Sequence, residues 1–80
     1  TRALVEKVNW ITGPHPARSF EATSKIRYNH SAAPCRIQPT ASHSASVTFY
    51  EPQFAITPGQ IAAFYIGQEL IGGGWIEKGE

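Results

Sequence analysis

The sequence predicts an all-β chain that closes into a small, six-stranded, antiparallel-rich barrel with no substantial helix. Three observations predict it. Apolar residues recur with period two, and no segment of useful length spaces them helically. Turn-forming clusters, "TGPHPA", "HSAAP", "PTASHSAS" and "EPQFAITPGQ", separate the alternating runs. Short strands joined by Gly/Pro turns also leave exposed edges, which closure into a barrel removes.

The first run, "ALVEKVNWI", is rich in β-formers but its alternation is blurred, as in a strand that bends or is covered on both sides. In "FEATSKIRY", Phe20, Ala22, Ile26 and Tyr28 fall on one face, with Glu21, Thr23, Lys25 and Arg27 on the other. Cys35 and Ile37 alternate with Arg36 and Gln38, and Val47 and Phe49 with Ser46 and Thr48. The last two runs, "IAAFYI" and "ELIGGGWI", flank Gly67-Gln68, a two-residue Gly-X loop suited to a type II′ hairpin turn. Gly72, Gly73 and Gly74 invite comparison with a phosphate-binding loop, which needs a helix whose N-terminal amides meet the anion. "WIEKGE" follows them instead, strand-like and too short for a helix. Consecutive glycines in a strand permit a sharp bend or a close backbone approach at a barrel corner.

With 80 residues, the chain forms one domain, residues 1–80. A chain this small buries only about 60% of the surface its unfolded form exposes, with no material for a separate catalytic domain. Apolar content of 41% and charged content of 16% fit a folded globular chain. No apolar run approaches the ~20 residues of a membrane helix, so no membrane is expected as a partner. The absence of methionine suggests a domain of a longer protein. Net charge is only +1, yet six of the seven cations lie in the first 36 residues, which suggests one cationic face. A lone cysteine rules out an internal disulfide and fits a reducing compartment.

The candidate chemistry is sparse. Cys35 with His15, His30 and His43 lacks the paired spacing of a structural zinc site, and Cys35 on an alternating strand reads as a buried thiol. The chain has no aspartate and its glutamates stand singly, so no catalytic constellation and no metal site is expected. Lys25, Arg27 and Arg36, on adjacent strands with side chains outward, could form a cationic strip beside Tyr28. Arginine suits bidentate phosphate contact, and tyrosine can stack on an unpaired base. An ordinary solvated face remains the alternative.

"VNWI", "SKIRY", "APC", "EPQFAITPGQIAAFY" and "LIGGGWI" occur in an order and spacing that resembles the C-terminal β-barrel of the tRNA-specific 2-thiouridylase family, across nearly the whole chain. The resemblance implies a translation-factor-like barrel and a parent enzyme with an N-terminal ATP-pyrophosphatase-type domain and a small central domain. That enzyme is an ATP-dependent tRNA sulfurtransferase, making 2-thiouridine at the wobble position with a persulfide sulfur. ATP, with magnesium, and the catalytic cysteines belong to its N-terminal domain, so this barrel carries no cofactor and Cys35 matches neither cysteine. The implied partners are tRNA, the other domains of the same enzyme and, through them, a sulfur-donor protein. The implied setting is the cytoplasm, or an organelle in a eukaryote. The family's tRNA contacts fall on Arg27 and Tyr28 of "SKIRY" and on Gln60 of "TPGQ", with Lys25 and Arg36 as further candidates for the RNA face. This chain departs from the family at Tyr50, where an aspartate is usual, and at Phe54, which takes the place of a frequent basic residue and is expected to pack on the barrel. A free-standing RNA- or protein-binding barrel and a purely structural cap remain the alternative readings.

Overall fold

The computed structural model describes residues 1–11, 13–14, 16–27 and 30–80. His15 and Tyr28, both singled out by the sequence, lie outside the described residues. The elements are β1 (Arg2–Trp10), β2 (Phe20–Lys25), β3 (Ala33–Ala41), β4 (Ser44–Phe49), β5 (Ile61–Ile66) and β6 (Glu69–Gly79). They close in the order β1-β4-β3-β2-β5-β6, with every neighbouring pair antiparallel.

The blurred alternation of β1 has a local cause. Ala3 and Val5 point into the core, but Val8 does so too, three residues on. The register against β6 slips between Glu6 and Asn9, and Lys7 adopts φ +54°. One bulged position therefore resets which face is buried, which strict period-two reading cannot express.

The β3–β4 hairpin is tighter than the serine-rich sequence suggests. Pro39 to Ala41 and Ser44 onward are strand, so the turn shrinks to Ser42 and His43. Pro39 sits at the register shift between Pro39 and Ala41, where a missing ladder N–H is tolerated. His43 Nδ1 lies 3.2 Å from the Val8 carbonyl oxygen, tying this turn to the β1 bulge. At the β5–β6 hairpin Gly67 takes φ +61° while Gln68 keeps a negative φ, the signature of the type II′ turn.

The core comprises Val5, Val8, Ile37, Val47, Phe64 and Ile76 from the strands, with Cys35 fully buried among them. Each such aliphatic or aromatic side chain contributes about 1.5–3 kcal/mol on burial. At one end Trp10 packs against Phe20 at 6.3 Å and Phe64 at 5.7 Å between ring centroids. The described side chains that could meet a partner lie on the outside of this core.

The three consecutive glycines are explained by close approach. A Cβ on Gly72 would lie 2.9 Å from the Asn9 carbonyl oxygen, on Gly73 2.8 Å from that of Ala62, and on Gly74 2.6 Å from that of Glu6. None of the three has a left-handed φ. The glycines let β6 run close to β1 and β5, and backbone strain plays no part.

Candidate nucleic-acid interface

Pairing of Lys25 with Ala63 ends the β2–β5 ladder, and the chain then leaves the sheet. Buried Ile26 pins this exit to the core. With the neighbouring side chain anchored inward, Arg27 is carried to the barrel wall, where it is half-buried.

Gln60 arrives from a different direction. Thr57-Pro58-Gly59-Gln60 forms a type II turn: Gln60 N–H donates to the Thr57 carbonyl at 3.2 Å, and Gly59 takes φ +91°. Proline sets the first central position and glycine supplies the positive φ of the second. The turn is stapled to β6 on both sides, because Gly59 N–H donates to the Ile76 carbonyl and Ile76 N–H to the Gln60 carbonyl, each at 2.8 Å. The Gln60 side chain therefore projects from a rigid, backbone-bonded corner.

These two routes converge on one open groove of roughly 500 Å³, lined by Lys25, Ile26, Arg27, Gly59, Gln60, Ile61, Ala63 and Trp75. None of the described residues that line it carries a carboxylate. Arg27 Nη2 is buried and makes no hydrogen bond among the described residues. The Arg27 guanidinium carbon lies 6.0 Å from the Phe54 ring centroid, within cation–π range. A guanidinium on the wall of this groove suits an anionic oxygen, which it can bind through charge-assisted hydrogen bonds.

The structure thus brings Arg27, Gln60 and Lys25 together and sets Arg36 apart. Arg36 pairs across β2–β3 with Glu21, four residues up the strand from Lys25, or about 13 Å. There Arg36 Nη1 donates to Glu21 Oε2 at 2.8 Å and Nη2 donates to Ser19 Oγ at 3.2 Å. Tyr50 donates its hydroxyl to the other oxygen of Glu21. Arg36 is accordingly engaged in a surface cluster of its own, and the expected continuous strip of three cations is interrupted. Phe54 does not pack on the barrel as expected: it is 84% exposed, beside Arg27.

The remaining candidates have plain roles. Burial, with Glu21 adding to it, pushes the Cys35 thiol up to about 12, leaving it protonated and inert at neutral pH. His30 is exposed. Among the described residues no group of three or more His, Cys, Asp or Glu side chains gathers to hold a metal.

Sequence reasoning missed Trp75 and Ile61, which face each other across β5–β6 on the barrel exterior. The register against β5 shifts after Tyr65↔Leu70, so that Ile71 has no partner and Phe64 pairs with Gly72. That extra residue inverts the parity of everything after it, turning Trp75 out and Ile76 in.

Residues 1–76 match the family described as the aminomethyltransferase β-barrel domain. The chain is 50% identical over 74 residues to a tRNA-specific 2-thiouridylase of Geotalea uraniireducens, covering 92% of this chain and 20% of that protein. Against the 2-thiouridylase of Chlorobium chlorochromatii it is 44% identical over 78 residues, covering 98% of this chain and 22% of the relative. Against that of a Synechococcus strain the identity is 41% over 80 residues, 100% of this chain and 22% of the relative. The chain therefore spans about a fifth of the length of the curated relatives it matches.

Proposed function

The chain belongs to the aminomethyltransferase β-barrel domain family, and from that premise we propose that it is the tRNA-gripping barrel of a tRNA-uridine 2-sulfurtransferase. The observation that carries the proposal is the convergence of Arg27 and Gln60, 33 positions apart in sequence, on one groove whose described lining residues include no carboxylate. Its similarity to 2-thiouridylases along the whole chain supports the enzyme's identity.

In this role Arg27 meets a phosphate, Lys25 adds positive potential, and the Gln60 amide, which both donates and accepts, fixes register. Tyr28 follows Arg27 in sequence and is assigned to the same contact. The barrel binds and orients; the chemical step, with ATP, magnesium and a persulfide sulfur, belongs to other domains of the enzyme. Those domains and tRNA are its direct partners, a sulfur-donor protein an indirect one, and the cytoplasm its setting.

The test is tRNA binding by the full-length enzyme. Arg27→Ala should weaken it by about 1.5–3 kcal/mol, the cost of losing a hydrogen bond to a charged group. Loss of one phosphate contact should also flatten the dependence of log K on log salt by about 0.7–0.9. Gln60→Ala should cost about 0.5–1.5 kcal/mol, and Tyr28→Ala about 1–3 kcal/mol if the ring stacks on a base. The isolated barrel should form no 2-thiouridine when given ATP, a sulfur donor and tRNA. If the three variants melt and bind tRNA like wild type, the barrel is a structural cap and the proposal is wrong.

A further inference from the structure

Trp75 is 48% exposed and its cross-strand neighbour Ile61 57% exposed, on the same wall of the groove that holds Arg27 and Gln60. Large apolar side chains that face water in a pair, with cations and an amide at their border, form an amphipathic surface with a direction to it. Beside them the outer row narrows to Ala63 and Gly73, which are directly opposed across β5–β6. Small residues at that point leave the flank of the indole open. On the other side of Trp75, Glu6 is its partner across β1 and accepts a hydrogen bond from Ser44 Oγ at 2.6 Å. An anion is therefore disfavoured on the Glu6 side and favoured on the side of Lys25 and Arg27.

We propose that Trp75, backed by Ile61, is the stacking platform for one unpaired nucleobase of the tRNA, whose phosphate lies toward Arg27 and Lys25. The inference rests on the reading that Arg27 and Gln60 meet tRNA, and it adds the class of element recognised. A base in a duplex has both faces covered, so a platform of this kind takes a nucleotide from a loop, a bulge or an end. An indole stacks on any base, because every base has a π-face. Whatever base preference exists then comes from the Gln60 amide at the edge of the groove. A purely apolar partner would cover Trp75 and Ile61 but gain nothing from the Arg27 guanidinium at their border; a nucleotide engages both.

Full-length enzyme carrying Trp75→Ala should bind tRNA about 5- to 150-fold more weakly, the fold-change equivalent of losing one base stack. Its salt slope should stay unchanged, whereas Arg27→Ala flattens it. Trp75→Phe should recover most of the affinity. A scan of abasic substitutions through the unpaired positions of the tRNA should find one whose loss weakens wild type but leaves Trp75→Ala unaffected. If Arg27→Ala weakens binding while Trp75→Ala does not, the platform is wrong and the tRNA-gripping role stands. If neither these two nor the Gln60 and Tyr28 variants weaken it, both fall. If Trp75→Ala lowers the melting temperature of the enzyme with tRNA affinity intact, or adds to every abasic loss alike, Trp75 packs against another domain and the platform is equally overturned.

Discussion

At the scale of single residues, the glycine run and the buried cysteine give the sharpest expectations. A Cβ at Gly74 would lie 2.6 Å from the Glu6 carbonyl and 2.8 Å from Val5 Cγ1, with both obstacles fixed in β1. Gly74→Ala should therefore lower stability by about 1–3 kcal/mol, read by thermal or urea unfolding, through overpacking alone. Cys35 offers a pH signature. Its thiol ionises near 9.0 when exposed and is pushed up to about 12 in the fold. Between those values the unfolded chain loses a proton that the folded chain keeps, so stability is full below 9 and is lost as pH rises toward 12. Cys35→Ala should flatten that alkaline decline in melting temperature, and the wild-type thiol should react with a disulfide reagent at pH 8 only after unfolding. Arg27 is legible as an outward cation on an alternating run, whereas Gln60 is legible only through the family resemblance carried by "TPGQ". Trp75 is not, since its outward direction depends on Ile71 being skipped in the pairing with β5, which no alternation pattern announces.

At the scale of elements, legibility followed turn chemistry. Both glycine turns could be read because φ +91° at Gly59 and φ +61° at Gly67 are conformations that a side chain resists. Gly59→Ala should cost about 1–2 kcal/mol in stability and should also weaken tRNA binding, since it displaces the corner that carries Gln60. Gly67→Ala should cost a similar amount while leaving tRNA binding unchanged, because its hairpin tip lies outside the groove. The pair separates a folding effect from a binding effect with the same chemical change. What the sequence could not deliver was register. The ladders slip between β1 and β6, within the β3–β4 hairpin and within the β5–β6 hairpin, and a period-two pattern read along one strand carries no sign of where its partner gains or loses a residue. The cationic strip failed for the same reason: only the pairing of Arg36 with Glu21 shows that this cation is already engaged.

At the scale of the whole molecule, β6 returns to β1, and residues 2 and 80 exchange backbone hydrogen bonds of 2.9 and 2.6 Å. Arg2 reinforces this seam, with its Nε donating to Glu80 Oε1 at 2.8 Å, and it holds the Glu80 carboxyl below the usual carboxylate range. A carboxyl depressed in the fold supports stability above its unfolded pKa, and that support is lost as pH falls through the folded value. The melting temperature of Arg2→Ala should accordingly converge on that of wild type once the pH falls far enough to protonate Glu80 in the fold, and differ most near neutrality; because the pair is solvent-exposed, the difference should be small and should shrink in high salt.

Closure of the ladder also settles the manner in which this domain can meet other molecules. A sheet with a free edge can recruit an extended peptide by donating its unmatched amides and carbonyls, a mode of recognition that reads shape before chemistry. Here each strand has a neighbour on both sides, so no whole strand edge is left for a peptide to extend. Whatever the barrel recognises, it must recognise with side chains and loop tips, and those can be exchanged one at a time without touching the hydrogen bonds that hold the fold. Binding and folding are thereby separable by design of the architecture: a library that varies only residues 25, 27, 60, 61 and 75 should yield many well-folded barrels whose preferences for nucleic acid differ from one another.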